Sequence, residues 1–167
     1  YEIPKRDWSS DVCSSDLITE QLNLLGIEVA FKSIVGDDRA DLEHAVRAAL
    51  ERVDLLICCG GLGPTDDDLT RVVVADVLGR ALVEDETITA RIRARFQGRG
   101  LEMPEINRRQ AMVPVGARVL PNTNGTAPGL WIESGTQLVL LLPGPPREDR
   151  NSTRLNSSHV SESRMPS

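Results

Sequence analysis

The sequence predicts an α/β sandwich around a mostly parallel sheet. Three observations carry that expectation. Between Leu17 and Leu142 the pattern alternates between strand-like and helix-like segments. Leu55 to Cys59 is a continuous apolar run, as in a parallel strand covered on both faces. Polar or Gly/Pro-rich turns follow three of the apolar strands, the pattern of an open sheet whose ligands bind beyond the strand ends.

The elements follow in order. Leu17 to Leu25 reads as the last turns of a helix stopped by Gly26, and Ile27 to Val35 as a strand leading into the turn Gly36-Asp37-Asp38. Asp41 to Val53 repeats apolar residues at helical spacing (Leu42, Ala45, Val46, Ala49, Leu50, Val53), with Asp38 as the N-cap. Asp54 to Cys59 is the second strand. Leu69 to Leu78 is a helix ended by Gly79, and a further helix runs from about Asp85 to Gln97 with Ile88, Ile92 and Phe96 on one face. Pro104 opens a short helix through Asn107 and Gln110. Ala117 to Leu120, Leu130 to Glu133 and Gln137 to Leu142 are strand-like.

Composition narrows the function. The 167 residues suit one domain, and a net charge of -6 leaves no basic face for nucleic acid. Only 3% of residues are aromatic, too few for a base-stacking platform. No apolar run is long enough to span a bilayer and no secretory pattern opens the chain, so a cytoplasmic protein is expected. Cys13, Cys58 and Cys59 form no disulfide framework. Cys58 and Cys59 are neighbours in a strand and should face opposite ways as small hydrophobes. Residues 1–16 and 149–167 are serine-rich and aperiodic. Both resemble translated sequencing-adapter strings, and they read as non-native or disordered segments flanking a domain at residues 17–148.

The chemistry concentrates in Asp54 to Thr70, DLLICCGGLGPTDDDLT. A strand runs into a glycine turn, three carboxylates and a helix N-terminus. Backbone N–H groups at such a junction favour anions, and Gly60, Gly61 and Gly63 let a phosphate approach closely. The turn is not a Walker A loop, because Lys5 and Lys32 are the only lysines, and GGLGPT lacks the dinucleotide G-x-G-x-x-G spacing. One of Asp66, Asp67 and Asp68 is expected to cap the following helix. Three adjacent like charges exceed that need, so at least one is assigned to a ligand or a metal. If the strands are parallel, the turns at Asp37, at Gly60 to Asp68, and at Pro143-Gly144-Pro145-Pro146 meet at one crevice. The loop Asn122 to Gly129 is read equally as turn chemistry or as a second wall, with Thr126 as a donor. Arg91, Arg93, Arg95 and Arg99 read as a wet helix face, and His44 as a solvated residue. Asn107 and Gln110, beside Arg108 and Arg109, are candidates to bond a base or ribose.

These strings carry a resemblance. VGDD (Val35 to Asp38), GGLGPTDDDLT (Gly60 to Thr70), MPEINRRQAMVP (Met103 to Pro114), PNTNGTAPG (Pro121 to Gly129) and LLPGPPRE (Leu141 to Glu148) are similar, in order and spacing, to the N-terminal domain of the CinA competence/damage-inducible family, within the MogA/MoaB molybdopterin-binding superfamily. The resemblance implies a MogA-like three-layer sandwich. It implies a phosphate or nucleotide pocket at Gly60, Gly61, Gly63, Thr65, Thr70, Asn122, Gly125, Thr126 and Gly144, with Asp37 and Asp68 as catalytic acids and Asp67 and Asp68 as metal ligands. Asp67 and Leu62 match the CinA side of the superfamily. By resemblance the activity is divalent-cation-dependent (Mg2+ or Co2+ class) hydrolysis of a nucleoside diphosphate-sugar such as ADP-ribose. The cation would polarise the phosphorus centre and activate water. The alternative is a MogA-like module that binds molybdopterin or a nucleotide. The expected partner is thus a small phosphorylated nucleotide or pterin, with self-association into a homo-oligomer left open. The family opens with a strand and an acidic turn that residues 1–16 do not match. The first strand is therefore expected to be missing, and an inactive fragment is a third alternative. The deamidase module that follows this domain in full-length relatives has no counterpart after Glu148, so deamidation is not expected of these residues.

Overall fold

The computed structural model describes residues 14–144. Its elements are α1 (Ser14–Leu24), α2 (Arg39–Leu50), β1 (Leu55–Cys59), α3 (Thr70–Val77), β2 (Leu82–Glu84), α4 (Glu86–Gln97), a 3-10 helix (Glu105–Ala111), β3 (Met112–Pro114), β4 (Arg118–Leu120), β5 (Gly129–Ser134) and β6 (Gln137–Leu142). Four strands form one sheet in the order β1-β6-β5-β4, and β2 pairs with β3 separately.

Local chemistry explains most of these boundaries. The Asp38 carboxylate accepts from the N–H groups of Ala40 (2.8 Å) and Asp41 (3.0 Å), starting α2 where expected. Asp85 does the same for α4, accepting from Thr87 (2.9 Å) and Ile88 (3.1 Å). Gly26 and Gly79 follow the last turns of α1 and α3. The core gathers Val46 of α2, Val74 of α3, and Ile88 and Ile92 of α4 against Leu130, Ile132, Val139 and Leu141 of β5 and β6. The inward positions alternate along both strands, as the pleat requires.

The α/β class holds, but two expectations need correction. The sheet is not mostly parallel: β1 and β6 are parallel, with Leu55 opposite Leu138, whereas β4–β5 and β5–β6 are antiparallel. The cause is connection length. Only Gly135 and Thr136 separate β5 from β6, a two-residue hairpin with Gly135 at φ 60°, and a parallel crossover needs a dozen residues or more. Second, Ile27 to Val35 forms no strand. A strand exists through its ladder, and this stretch joins none among the described residues. Ile34 is fully exposed, and Phe31 lies under the Arg52 guanidinium, 4.7 Å from ring centroid to carbon. Helix α1 leaves Leu17 and Leu24 exposed. The short β2–β3 ladder was not foreseen, since three-residue strands show no period. The terminal segments at residues 1–13 and 145–167, including Pro145 and Pro146, lie outside the described residues. Ser14 to Asp16 belong to α1.

Candidate functional site

The carboxyl ends of β1 and β6, the amino end of β5 and the carboxyl end of β4 share one edge of the sheet. Cys59 stands opposite Leu142, Leu130 opposite Leu141, and Leu120 opposite Gly129. The Gly60 turn, Gly144 and the Asn122 loop therefore lie along one rim. The Gly60 N–H donates to the Leu142 carbonyl at 2.9 Å, and a Cβ on Gly144 would sit 3.5 Å from the Gly60 Cα. The third turn expected at this crevice, holding Asp37, is exposed just before α2. Its neighbour Arg39 pairs with Asp76 of α3, roughly 9 Å along the helix axis from Thr70.

The glycines are required by space. Gly61 has φ 65°, and a Cβ there would lie 2.1 Å from the Thr70 hydroxyl oxygen. A Cβ on Gly63 would lie 2.3 Å from the Asp68 carboxylate. Asp68 Oδ2 accepts from the Thr65 N–H (2.9 Å) and hydroxyl (2.5 Å). The expected helix cap is thus not made: Leu69 stands at the N-cap of α3 with no side-chain cap, and the Asp68 carboxylate turns back to close the loop on Thr65. The N–H groups of Gly61, Leu62 and Gly63 meet no protein acceptor among the described residues. Three consecutive N–H groups beside a helix N-terminus form an anion-attracting nest.

Beneath the turn lies a residue the sequence reading missed. Arg71 is 3% exposed and donates through Nη2 to the Leu62 carbonyl (2.6 Å) and through Nη1 to the Arg109 carbonyl (2.5 Å). Burial pushes its guanidinium down to about 10, while the charge of Asp68 acts the other way, so it stays cationic at neutral pH. The available signal was a lone charge inside LTRVVVA, an otherwise apolar helix start. Arg109 in turn reaches Asp66 at 2.5 Å. Asp66, Glu84, Glu105, Ile106, Arg108, Arg109 and Met112 border a cleft of about 530 Å³ beside the turn. There the Thr89 hydroxyl, followed by Arg108, holds the Glu84 carboxyl below its ordinary value.

The Asn122 loop satisfies itself. Asn122 accepts from Asn124 and Gly125 N–H at 3.0 Å each and donates to the Ala127 carbonyl at 2.8 Å. Arg95 of α4 bonds the carbonyls of Thr123, Asn124 and Gly125, so it is a loop clamp rather than part of a wet face. Thr126 is half-buried in the same loop. Asn107 and Gln110 are buried, and the Asn107 amide donates to the Gln110 side-chain oxygen at 3.3 Å. His44 is exposed, as expected. Cys58 packs against the core as expected, whereas Cys59, expected to be buried, is exposed at the end of β1.

Asp67 and Asp68 are adjacent, and among the described residues no three His, Cys, Asp or Glu side chains group into a protein-only metal site. That donor set fits a hard cation that keeps water and phosphate oxygens as its remaining ligands. No helix among the described residues is long and apolar enough to cross a membrane.

Fold and turn together define a mixed α/β domain with a glycine nest at the open end of its parallel strand pair. Residues 13–156 match the family model described as "Probable molybdopterin binding domain". A protein of Desulforudis audaxviator, named among competence-damage inducible proteins, is 51% identical over 137 residues, which is 82% of this chain and 33% of that protein. A CinA-like protein of Koribacter versatilis is 44% identical over 153 residues, 89% of this chain and 37% of its own length. The crystal structure of a CinA protein from Thermoplasma acidophilum superposes with a TM-score of 0.72 at 32% identity, covering 90% of this chain and 88% of that one. The chain belongs to the molybdopterin-binding domain family and, within it, to the CinA-like proteins. It spans about a third of the length of the curated relatives it matches.

Proposed function

We propose that this domain binds the phosphates of a nucleotide on the Gly60–Gly63 turn and, with a divalent cation, hydrolyses a nucleoside diphosphate-sugar such as ADP-ribose. The observation that carries the reading is the run of three unclaimed N–H groups at Gly61, Leu62 and Gly63, next to a pair of carboxylates. The N–H groups hold the diphosphate where negative charge builds up during cleavage. Thr65 fixes the Asp68 carboxylate, and Gly63 leaves room for it. Asp67 and Asp68 would hold the cation, with Asp37 as a further acid. When bound, the cation supplies charge neutralisation at the phosphates. Resemblance to CinA-type domains supports the choice of substrate.

Incubating the protein with ADP-ribose and Mg2+ or Co2+ should release AMP, and D68N should slow the release by about two orders of magnitude. No AMP from protein shown to be folded would remove the hydrolase reading. The family match favours one further reading, a module that holds a pterin or nucleotide without turnover. Calorimetry with molybdopterin-like ligands and adenine nucleotides separates the two, since tight binding without product selects the module.

A further inference from the structure

We propose that Arg71 is a positioning residue for the anion turn: by holding the Leu62 carbonyl inside, its guanidinium aims the Gly63 N–H outward at a bound phosphate. The inference rests on the reading of the turn as a phosphate site and adds the device that sets its geometry.

The peptide unit between Leu62 and Gly63 is planar and trans, so its C=O and N–H point in opposite directions. Arg71 Nη2 holds that C=O at 2.6 Å from below, which directs the Gly63 N–H away from the core. The second donor, Nη1, fastens the same guanidinium to the Arg109 carbonyl in the 3-10 helix, so the turn cannot tilt independently of that helix. Neither bond goes to a carboxylate, although the side chain is 3% exposed. Burying a cation in this way costs more than burying an apolar side chain of equal volume, and stability alone gives no reason for it. A planar fork with two donors in fixed directions performs what neither a lysine nor a methionine can. The buried positive charge also lies under the nest, where it raises the local potential for an anion.

The test uses Arg71→Met and Arg71→Lys in the full chain. Two readouts are taken: the Gly60, Gly61 and Gly63 amide signals in nitrogen-edited NMR spectra, and affinity for inorganic pyrophosphate. Arg71→Met should move the Gly63 amide signal while leaving β5 and β6 signals in place, and should weaken pyrophosphate binding by about tenfold or more. Arg71→Lys, which keeps the charge but grips one carbonyl at a time, should recover part of the affinity. If Arg71→Met does not fold, Arg71→Lys alone decides: a shifted Gly63 amide supports the proposal. A folded variant with an unmoved Gly63 amide and unchanged pyrophosphate affinity overturns it. If the unaltered protein binds no pyrophosphate, the phosphate reading falls by itself, and the Gly63 amide still shows whether Arg71 orients the turn.

Discussion

Two loops on the same rim are each held by an arginine, yet they do opposite things with their hydrogen-bonding groups. In the Asn122 loop, Arg95 takes three carbonyls from the rim and the Asn122 side chain takes two N–H groups. Little is left over for a ligand. In the Gly60 turn, Arg71 takes one carbonyl from within, and three N–H groups in a row meet no acceptor among the described residues. The Asn122 side chain fills its loop, whereas in the other turn the Asp68 carboxylate reaches back to Thr65 and not to the glycine N–H groups. A loop that satisfies itself is a wall. A loop whose donors are spared is open to an anion.

The sharpest test of this contrast is a methyl group. Gly63→Ala drives a Cβ into the Asp68 carboxylate, and Gly61→Ala meets the Thr70 hydroxyl at a backbone angle that L-residues avoid. Each should cost about 1–3 kcal/mol of stability, read from denaturant melts, and eliminate ADP-ribose cleavage. Gly125→Ala meets only the end of the Asn122 side chain and should be milder on both counts. Equal effects at Gly63 and Gly125 would erase the distinction between the loops.

Asp68→Asn comes next. Its amide oxygen still accepts from Thr65, so the melting temperature should hold, while turnover should fall by about two orders of magnitude. Arg95→Ala should lower stability by about 1–2 kcal/mol through its lost carbonyl bonds and leave pyrophosphate affinity unchanged. Lost affinity there would make the Asn122 loop part of the receptor.

The smallest effect concerns the strand that feeds the turn. Burial, reinforced by Cys59, pushes the Cys58 thiol from 9.0 up to about 12. The folded form thus keeps a proton that the unfolded form releases. That stabilisation is complete below pH 9 and is lost as pH rises towards 12. Cys58→Ala should flatten the alkaline arm of the stability profile, and mild alkylation mapped by mass spectrometry should label Cys59 before Cys58.

Elements whose cause is local were legible in the sequence. Asp38 and Asp85 announce helix starts, the apolar run at Leu55 announces a strand, and the glycines announce the turn that follows it. What depends on distant partners was not. Whether Ile27 to Val35 is a strand depends on a neighbouring ladder, which its own alternation cannot supply. The antiparallel half of the sheet was within reach of the two-residue gap at Gly135-Thr136, but order along the chain was weighed instead. Arg71 drew no expectation and Arg95 read as part of a wet helix face, because their carbonyl partners lie 9 to 38 positions away. The run of three aspartates likewise said nothing of the partner of Asp66, Arg109, which is 43 positions distant.

The pairing of β1 with β6 joins parts of the chain made at very different times. Gln137 at the head of β6 bonds the carbonyls of Leu50 and Val53, the former 87 positions earlier, and the Gly60 N–H reaches the Leu142 carbonyl. During synthesis the glycine turn and Arg71 beneath it emerge early, but the tie between the turn and β6 forms only after Leu142 has left the ribosome. A chain released before Leu142 would carry the motif without that tie.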